Sequence, residues 1–386
     1  MGLILNDLKN ACELEHVCDY VNNRTTSSMN YISTENMLPN KGGISESTII
    51  PPGTTTEYKI GDILISNIRP YFQKIWCADR CGGCSADVLC IRAKENTDSK
   101  YLYYLLSQQA FFDYVMSGAK GCKMPRGDKK QIMQWPVNIP AIDVQKKVVA
   151  ILSSLDNKIR LNRRINDNLE EQAKALFKSW FVDNNGEKWR KGIVSDFYDI
   201  SIGKTPPRKE SQWFTDSENG IVWASISDMG SCNVFLGNSS EYLTKEAVRK
   251  FKVCVVPENT ILLSFKLTIG RVAIADKEMA TNEAIAHFIA PNNAIEYTYL
   301  ALKNYEFSSL GSTSSIATAI NSKIIKSMPW MMPDEDTLNL FHQIVLPVFE
   351  RMRNNCQEII CLSSLRDTLL PKLMSGELSV EEVSFD

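Results

Sequence analysis

INDNLEEQAKALFKSWF, residues 165–181, lies near the middle of the chain and contains neither proline nor glycine. Its apolar positions continue a stripe that begins further back. Val148, Leu152, Leu155, Ile159, Leu169, Ala173, Leu176 and Trp180 follow steps of four and three, with Asn162 and Asn166 at the middle. That spacing is the seam of a long amphipathic helix, and residues 143–181 as one helix would run roughly 58 Å at 1.5 Å per residue. A degenerate copy, CLSSLRDTLLPKLMSGEL (361–378), belongs to a second seam: Val345, Val348, Met352, Asn355, Ile359, Leu362, Leu369 and Leu373. Neither stripe tolerates water along such a length, so each predicts a partner, and the nearest partner is the other helix, antiparallel to it. Pro347 and Pro371 predict kinks or short ends, since each removes an internal hydrogen bond.

The two helices belong to a duplication. Sliding the sequence by 193 positions lays WPVNIP (135–140) over MPWMMP (328–333), with Pro136 on Pro329 and Pro140 on Pro333. The downstream seams stay in register at the same offset. Upstream the offset drifts to 197 or 198, so that GDILIS (61–66) matches NTILLS (259–264), IWCAD (75–79) matches VAIAD (272–276), and CSADVLCI (84–91) matches TNEAIAHF (281–288). Within each copy, short runs of Ile, Val, Tyr and Phe are broken by Pro, Gly and Asn clusters, as expected of strands with a helix or two between them. The expected fold is α+β: two similar mixed α/β domains separated by two long helices pairing as an antiparallel coiled coil, a pseudo-twofold internal repeat. The expected boundaries are 1–140 for the first domain, 141–185 for the central helix, 186–333 for the second domain, 334–376 for the distal helix and 377–386 for a tail.

Composition narrows the class. At 386 residues, 44% hydrophobic and 23% charged, the chain has room for two or three domains with their own cores. MGLILNDLKNACELEHV (1–17) has no basic flank leading into an apolar run, and no window approaches the roughly 18 apolar residues of a membrane span. A cytoplasmic protein is expected. Eleven cysteines without an export signal predict reduced thiols. Cys77, Cys81, Cys84 and Cys90 depart from the usual pair-of-pairs zinc spacing and read as thiols packed like small apolar side chains. A net charge of -2 gives no global sign of a polyanion partner, but GAKGCKMPRGDKK (118–130) carries five basic residues and one acid. Alone, that run reads as a solvated loop.

NLEEQAKALFKSWF at the centre, LRDTLLPKLMSGEL (365–378), and IGKTPPRKESQWF, GIVWASISDM and TNEAIAHFI in the second block resemble the DNA-specificity subunits of type I restriction-modification systems. The resemblance covers nearly the whole chain. It implies two target-recognition domains, each reading one half of a bipartite site in double-stranded DNA. It further implies helices that set the unread spacer and dock two methyltransferase (modification) subunits, with restriction/translocase subunits completing the assembly. The first block matches less well, with TENM (34–37) where the second has SDM and no clear GKTP turn.

Base edges are read by Arg, Lys, Asn and Gln, and phosphates by Lys, Arg, Ser and Thr. SNIRPYFQK in the first block supplies Asn67, Arg69, Tyr71, Gln73 and Lys74 just past a strand end, and SFKLTIGR in the second supplies Lys266, Thr268 and Arg271. The loop before the closing proline adds Lys120, Lys123 and Arg126 in one copy, and Ser314, Thr318, Asn321 and Lys323 in the other. GKTPPRK adds Lys204, Arg208 and Lys209. For any one of these, a solvated surface side chain fits as well as a DNA contact. Lys178, Trp180 and Phe181 are candidate docking residues, with the rings as anchors; burial of the rings in the seam is the competing reading.

Catalysis is not expected. The chain lacks an Asn/Asp-Pro-Pro-Tyr/Phe tetrapeptide and a GxxxxGK[ST] phosphate loop, and its three histidines, His16, His287 and His342, are isolated in sequence. The resemblance places S-adenosylmethionine, ATP and Mg2+ on partner subunits, with no cofactor or metal in this chain. A coiled-coil protein-interaction scaffold without DNA binding is the alternative, and a self-sufficient nuclease a third possibility.

Overall fold

The computed structural model describes residues 11–26, 30–47, 53–184, 189–216, 219–266, 268–310 and 320–383. The chain forms two compact units, Met1–Asn157 with Ser363–Asp386, and Lys158–Leu362.

ILIS (63–66) and ILLS (261–264) are buried at every position, which a strand permits only when both faces are covered. Each is an inner strand of its unit's main sheet. In the first unit the antiparallel order is Cys18–Tyr20, Val88–Ala93, Ile63–Ser66, Ile75–Cys77. In the second it is Asp199–Ile202, Ile285–Ile289, Ile261–Ser264, Val272–Ala275, with Phe235–Leu236 added in parallel at the edge. The register repeats: Leu64 lies opposite Cys90, and Leu262 opposite His287. Each unit has a second sheet, of three strands in the first unit and five in the second.

Both units close in the same way. A short strand after the start of the copy pairs with the strand that follows the first aligned proline: Ala11–Glu13 with Pro136–Asn138, and Arg190–Ile193 with Pro329–Met332. The turn beyond is tied by Leu14 N–H to the Trp135 carbonyl at 2.9 Å and by Val194 N–H to the Met328 carbonyl at 2.9 Å. Just before the closing strand stands a one-turn helix, capped by Asp128 in one copy and Asn321 in the other. These caps satisfy N–H groups that the first helical turn leaves without partners.

The central helix runs Ile142–Phe177 and ends in a π turn, Lys178–Val182. The distal helix runs Glu335–Ser375, straight through both prolines. The short ends expected there give way to unbroken helix because each proline forfeits one hydrogen bond while its neighbours are buried: Val345 and Phe349 around Pro347, Leu370 and Leu373 around Pro371. In the first unit Val148 and Leu152 share a core with Leu370, Leu373 and Met374. Arg366 reaches Asp156 at 2.9 Å, and Asp156 accepts from the Tyr104 hydroxyl at 2.7 Å. In the second unit, Asn162 donates to Glu358 at 2.8 Å, while Asn166 donates to the Met352 carbonyl at 3.2 Å and accepts from Asn355 at 2.7 Å.

The four spaced cysteines do not converge on a metal. Among the described residues, no group of three or more His, Cys, Asp or Glu side chains stands close enough to hold one. Cys84 and Cys90 lie in the core, Cys77 is half-buried and Cys81 exposed. No helix among the described residues is long and apolar enough to cross a membrane.

Candidate nucleic-acid interface

The inner strand of each unit ends in a buried serine that closes the following hairpin. Ser66 donates its hydroxyl to the Ile68 carbonyl at 3.0 Å and its N–H to the Lys74 carbonyl at 3.0 Å. Ser264 does the same to Thr268, at 2.6 Å, and to Arg271, at 2.9 Å. The same serine thus ties the base of the hairpin in both copies.

In the first unit two further loops are laced to that hairpin through their backbones. Arg69 N–H donates to the Pro125 carbonyl at 2.8 Å, Ile68 pairs with Arg126, and Lys120 and Arg126 exchange hydrogen bonds of 2.9 Å. From the other side, Asn40 N–H donates to the Phe72 carbonyl at 2.8 Å and Lys41 N–H to the Gln73 carbonyl at 3.0 Å. The structure thus brings together two of the loops singled out in sequence, 67–74 and 120–126.

Their side chains differ in availability. Tyr71 and Lys123 are exposed. Lys120 is exposed and paired to Asp128 at 2.9 Å, and Arg126 to Asp87 at 3.0 Å; such pairs exchange readily for phosphate. Lys74 donates to the Thr34 carbonyl at 2.7 Å, and desolvation lowers its pKa. Gln73 bonds Gln109. Asn67 and Arg69 are half-buried, and Asn67 Oδ1 and Arg69 Nε are buried without a hydrogen-bond partner.

In the second unit Lys266 and Thr268 are exposed at the equivalent hairpin, while Arg271 turns inward and donates to the Ile226 carbonyl at 2.6 Å. The GKTPPRK loop is tied down. Gly203 approaches Asn282 so closely that a Cβ would overlap its carbonyl oxygen, which explains the glycine. Lys204 donates to the Phe251 carbonyl at 2.6 Å. Arg208 forms a two-pronged pair with Glu241 at 2.5 and 2.9 Å, and lies over the Trp223 ring at 4.4 Å and the Phe214 ring at 4.5 Å. Its fork is engaged, so in this arrangement Arg208 braces the loop; Lys209 is exposed. Asn321 accepts from the N–H groups of Lys323 and Ile324 as a helix cap, with Lys323 exposed in the first turn. Ser314 and Thr318 lie outside the described residues.

One docking candidate is corrected. Phe181 is buried, packed edge-on against Tyr297 and Phe341, so it cannot serve as an exposed anchor. The stripe holds to Ala173 and then drifts, because a straight helix turns every 3.6 residues and the seam repeat every 3.5, so Phe177 and Phe181 face the core in place of Leu176 and Trp180. Trp180 is half-buried against Phe341, and Lys178 is exposed.

Sequence reasoning did not single out Phe72 or Ile269, both exposed on the hairpins. The available signal was an apolar residue at a turn tip. It also left the isolated histidines unassigned. His287 is a core residue held by Ser201 Oγ at 2.8 Å and Thr281 Oγ at 2.7 Å, and burial lowers its pKa to about 4.

Two copies of one α+β domain, each with the same serine-clamped hairpin, define an internally duplicated protein. Residues 9–171 and 186–343 each match the type I restriction modification DNA specificity domain, and the chain belongs to that family. It is similar to the type I restriction enzyme HindI specificity subunit of Haemophilus influenzae, with 24% identity across 90% of this chain and 94% of that protein. It is also similar to the MjaIX specificity subunit of Methanocaldococcus jannaschii, with 26% identity across 75% of this chain and 71% of that one. Among solved structures, the type I restriction-modification S subunit from M. genitalium aligns over 96% of this chain and 98% of its own, at 14% identity and a TM-score of 0.49.

Proposed function

We propose that the chain is the noncatalytic DNA-specificity subunit of a type I restriction-modification enzyme. Each domain reads one half of a bipartite target in double-stranded DNA. The observation that carries this reading is the repetition: the specificity domain matches twice, and each copy holds out the same hairpin. Bases and phosphates are contacted by these hairpins and the loops beside them: Asn67, Arg69, Tyr71, Gln73, Lys74, Lys120, Lys123 and Arg126 in the first domain, and Lys266, Thr268, Arg271, Lys204, Lys209, Asn321 and Lys323 in the second. Arg208 joins them only by leaving Glu241.

The long helices pair as an antiparallel coiled coil that fixes the unread spacer. Support comes from contact order in the second unit, where Lys158 and Asn162 meet Glu358, and Asn166 meets Asn355 and Met352. Methyltransferase subunits dock on the outward helix faces, including Lys178 and the exposed edge of Trp180. S-adenosylmethionine, ATP and Mg2+ belong to the modification and restriction subunits, which carry out the chemistry.

Co-expression with the cognate methyltransferase, followed by mapping adenine methylation across a host genome, tests the reading. The expected result is a two-part motif with a degenerate gap, of which exchange of residues 1–140 for another family member's alters one half. An uninterrupted motif, or one whose halves both change, contradicts it. A protein-interaction scaffold would yield no motif, and its complex would lack the steep loss of DNA affinity with rising salt expected of phosphate contacts.

A further inference from the structure

The hairpin of the first domain carries an exposed apolar cluster where a phosphate-binding loop alone would carry none. Tyr71 and Phe72 are 48% and 38% exposed, with ring centroids 4.6 Å apart. On the two loops laced to this hairpin, Leu38 and Met124 are 39% and 49% exposed. The mount is stiff. Besides its interloop hydrogen bonds, four non-glycine residues, Asn40, Lys41, Arg69 and Gln73, are held in left-handed conformation with φ between 50° and 60°. Lys74 Nζ lies 5.9 Å from the centroid of the Phe72 ring.

The surroundings decide the occupant. The loop bonded to Arg69 carries Lys120, Lys123 and Arg126, of which Lys120 and Arg126 are paired at the surface to Asp128 and Asp87, carboxylates that a phosphate can displace. Exposed rings inside a cationic rim fit a ligand with stacked planar faces and an anionic edge, which describes a base step flanked by its phosphates. The second domain repeats the device: Ile269, 40% exposed, stands on the equivalent serine-clamped hairpin, just before Gly270 at φ +87°. Aliphatic side chains serve as wedges between base steps as aromatic ones do.

We infer that Tyr71 and Phe72 form an aromatic wedge that enters a base step of the half-site read by the first domain, unstacking it and kinking the duplex. This rests on the DNA-reading assignment proposed above. The wedge reads deformability as well as base edges, so the half-site favours a flexible pyrimidine–purine step at the point of entry.

The test uses the assembled methyltransferase complex and duplexes of its mapped target, with 2-aminopurine placed in turn at each position other than the methylated adenine. The expected result is fluorescence enhancement at one step of the first domain's half-site. Tyr71→Ala/Phe72→Ala should abolish it and weaken target binding about tenfold or more, while Phe72→Tyr preserves it. Because both rings are partly exposed, at 48% and 38%, the thermal unfolding profile should keep its shape and move little. Specific binding with flat fluorescence at every position overturns the wedge and leaves the DNA reading standing, as does an enhancement that survives the double substitution. Docking of a protein on these rings would also give the flat result. Failure of the complex to bind any mapped target overturns both proposals.

Discussion

At the scale of single residues, burial decides what a polar side chain does. His287 occupies the position that Cys90 holds in the first unit, opposite the inner strand, and its two ring nitrogens are engaged by Ser201 and Thr281. Its pKa falls from 6.5 to about 4 on burial, so the unfolded chain binds a proton between those values and the folded chain does not. Stability from this residue is present above pH 6.5 and lost as pH falls towards 4. Between pH 7 and 5.5 the loss should be about 1 kcal/mol in urea unfolding, and His287→Gln should flatten that part of the profile. An unchanged slope in the variant would show that the imidazole already titrates normally. Sequence could not assign the other polar candidates this way, because their partners are distant: Arg208 meets Glu241, and Arg271 meets the Ile226 carbonyl, only after the chain folds. The glycine in GKTP was visible, but its reason, the close approach of Asn282, was not.

At the scale of elements, the seams were largely legible. Asn162, Asn166 and Asn355 stood out as polar residues in apolar stripes, and all three are buried. Beyond Ala173 the expected stripe is one position out of phase, because a strict heptad does not hold in a segment that packs on a domain core through Phe177 and Phe181. The buried asparagines make a specific energetic claim. Asn166→Leu leaves the Asn355 amide buried without its acceptor, which should cost about 1–3 kcal/mol. Asn166→Leu with Asn355→Leu removes both members and should recover most of that loss. A double-mutant cycle by denaturant unfolding measures the coupling, and simple additivity of the two losses would refute it.

At the scale of the whole molecule, the duplication was readable from two proline pairs, and the structure gives the first pair, Pro136 and Pro329, a purpose as the start of each closing strand. What the offset did not convey is that the first unit draws on both ends of the chain, residues 363–386 supplying Leu370, Leu373 and Met374 to its core. Removing 363–386 strips three buried side chains, each worth roughly 2–5 kcal/mol, from a domain whose total stability is of order 5–15 kcal/mol. Calorimetry of the shortened chain should show one melting transition, that of the second unit; retention of two would mean the segment is dispensable. The same arrangement sets a birth order. A ribosome releases the second unit's sequence before the last strip needed by the first, so the domain translated earliest is the one completed latest. Until that moment Val148 and Leu152 lack the side chains that cover them, which makes the nascent chain a natural client for chaperones and makes late nonsense or frameshift lesions damaging at the opposite end of the polypeptide.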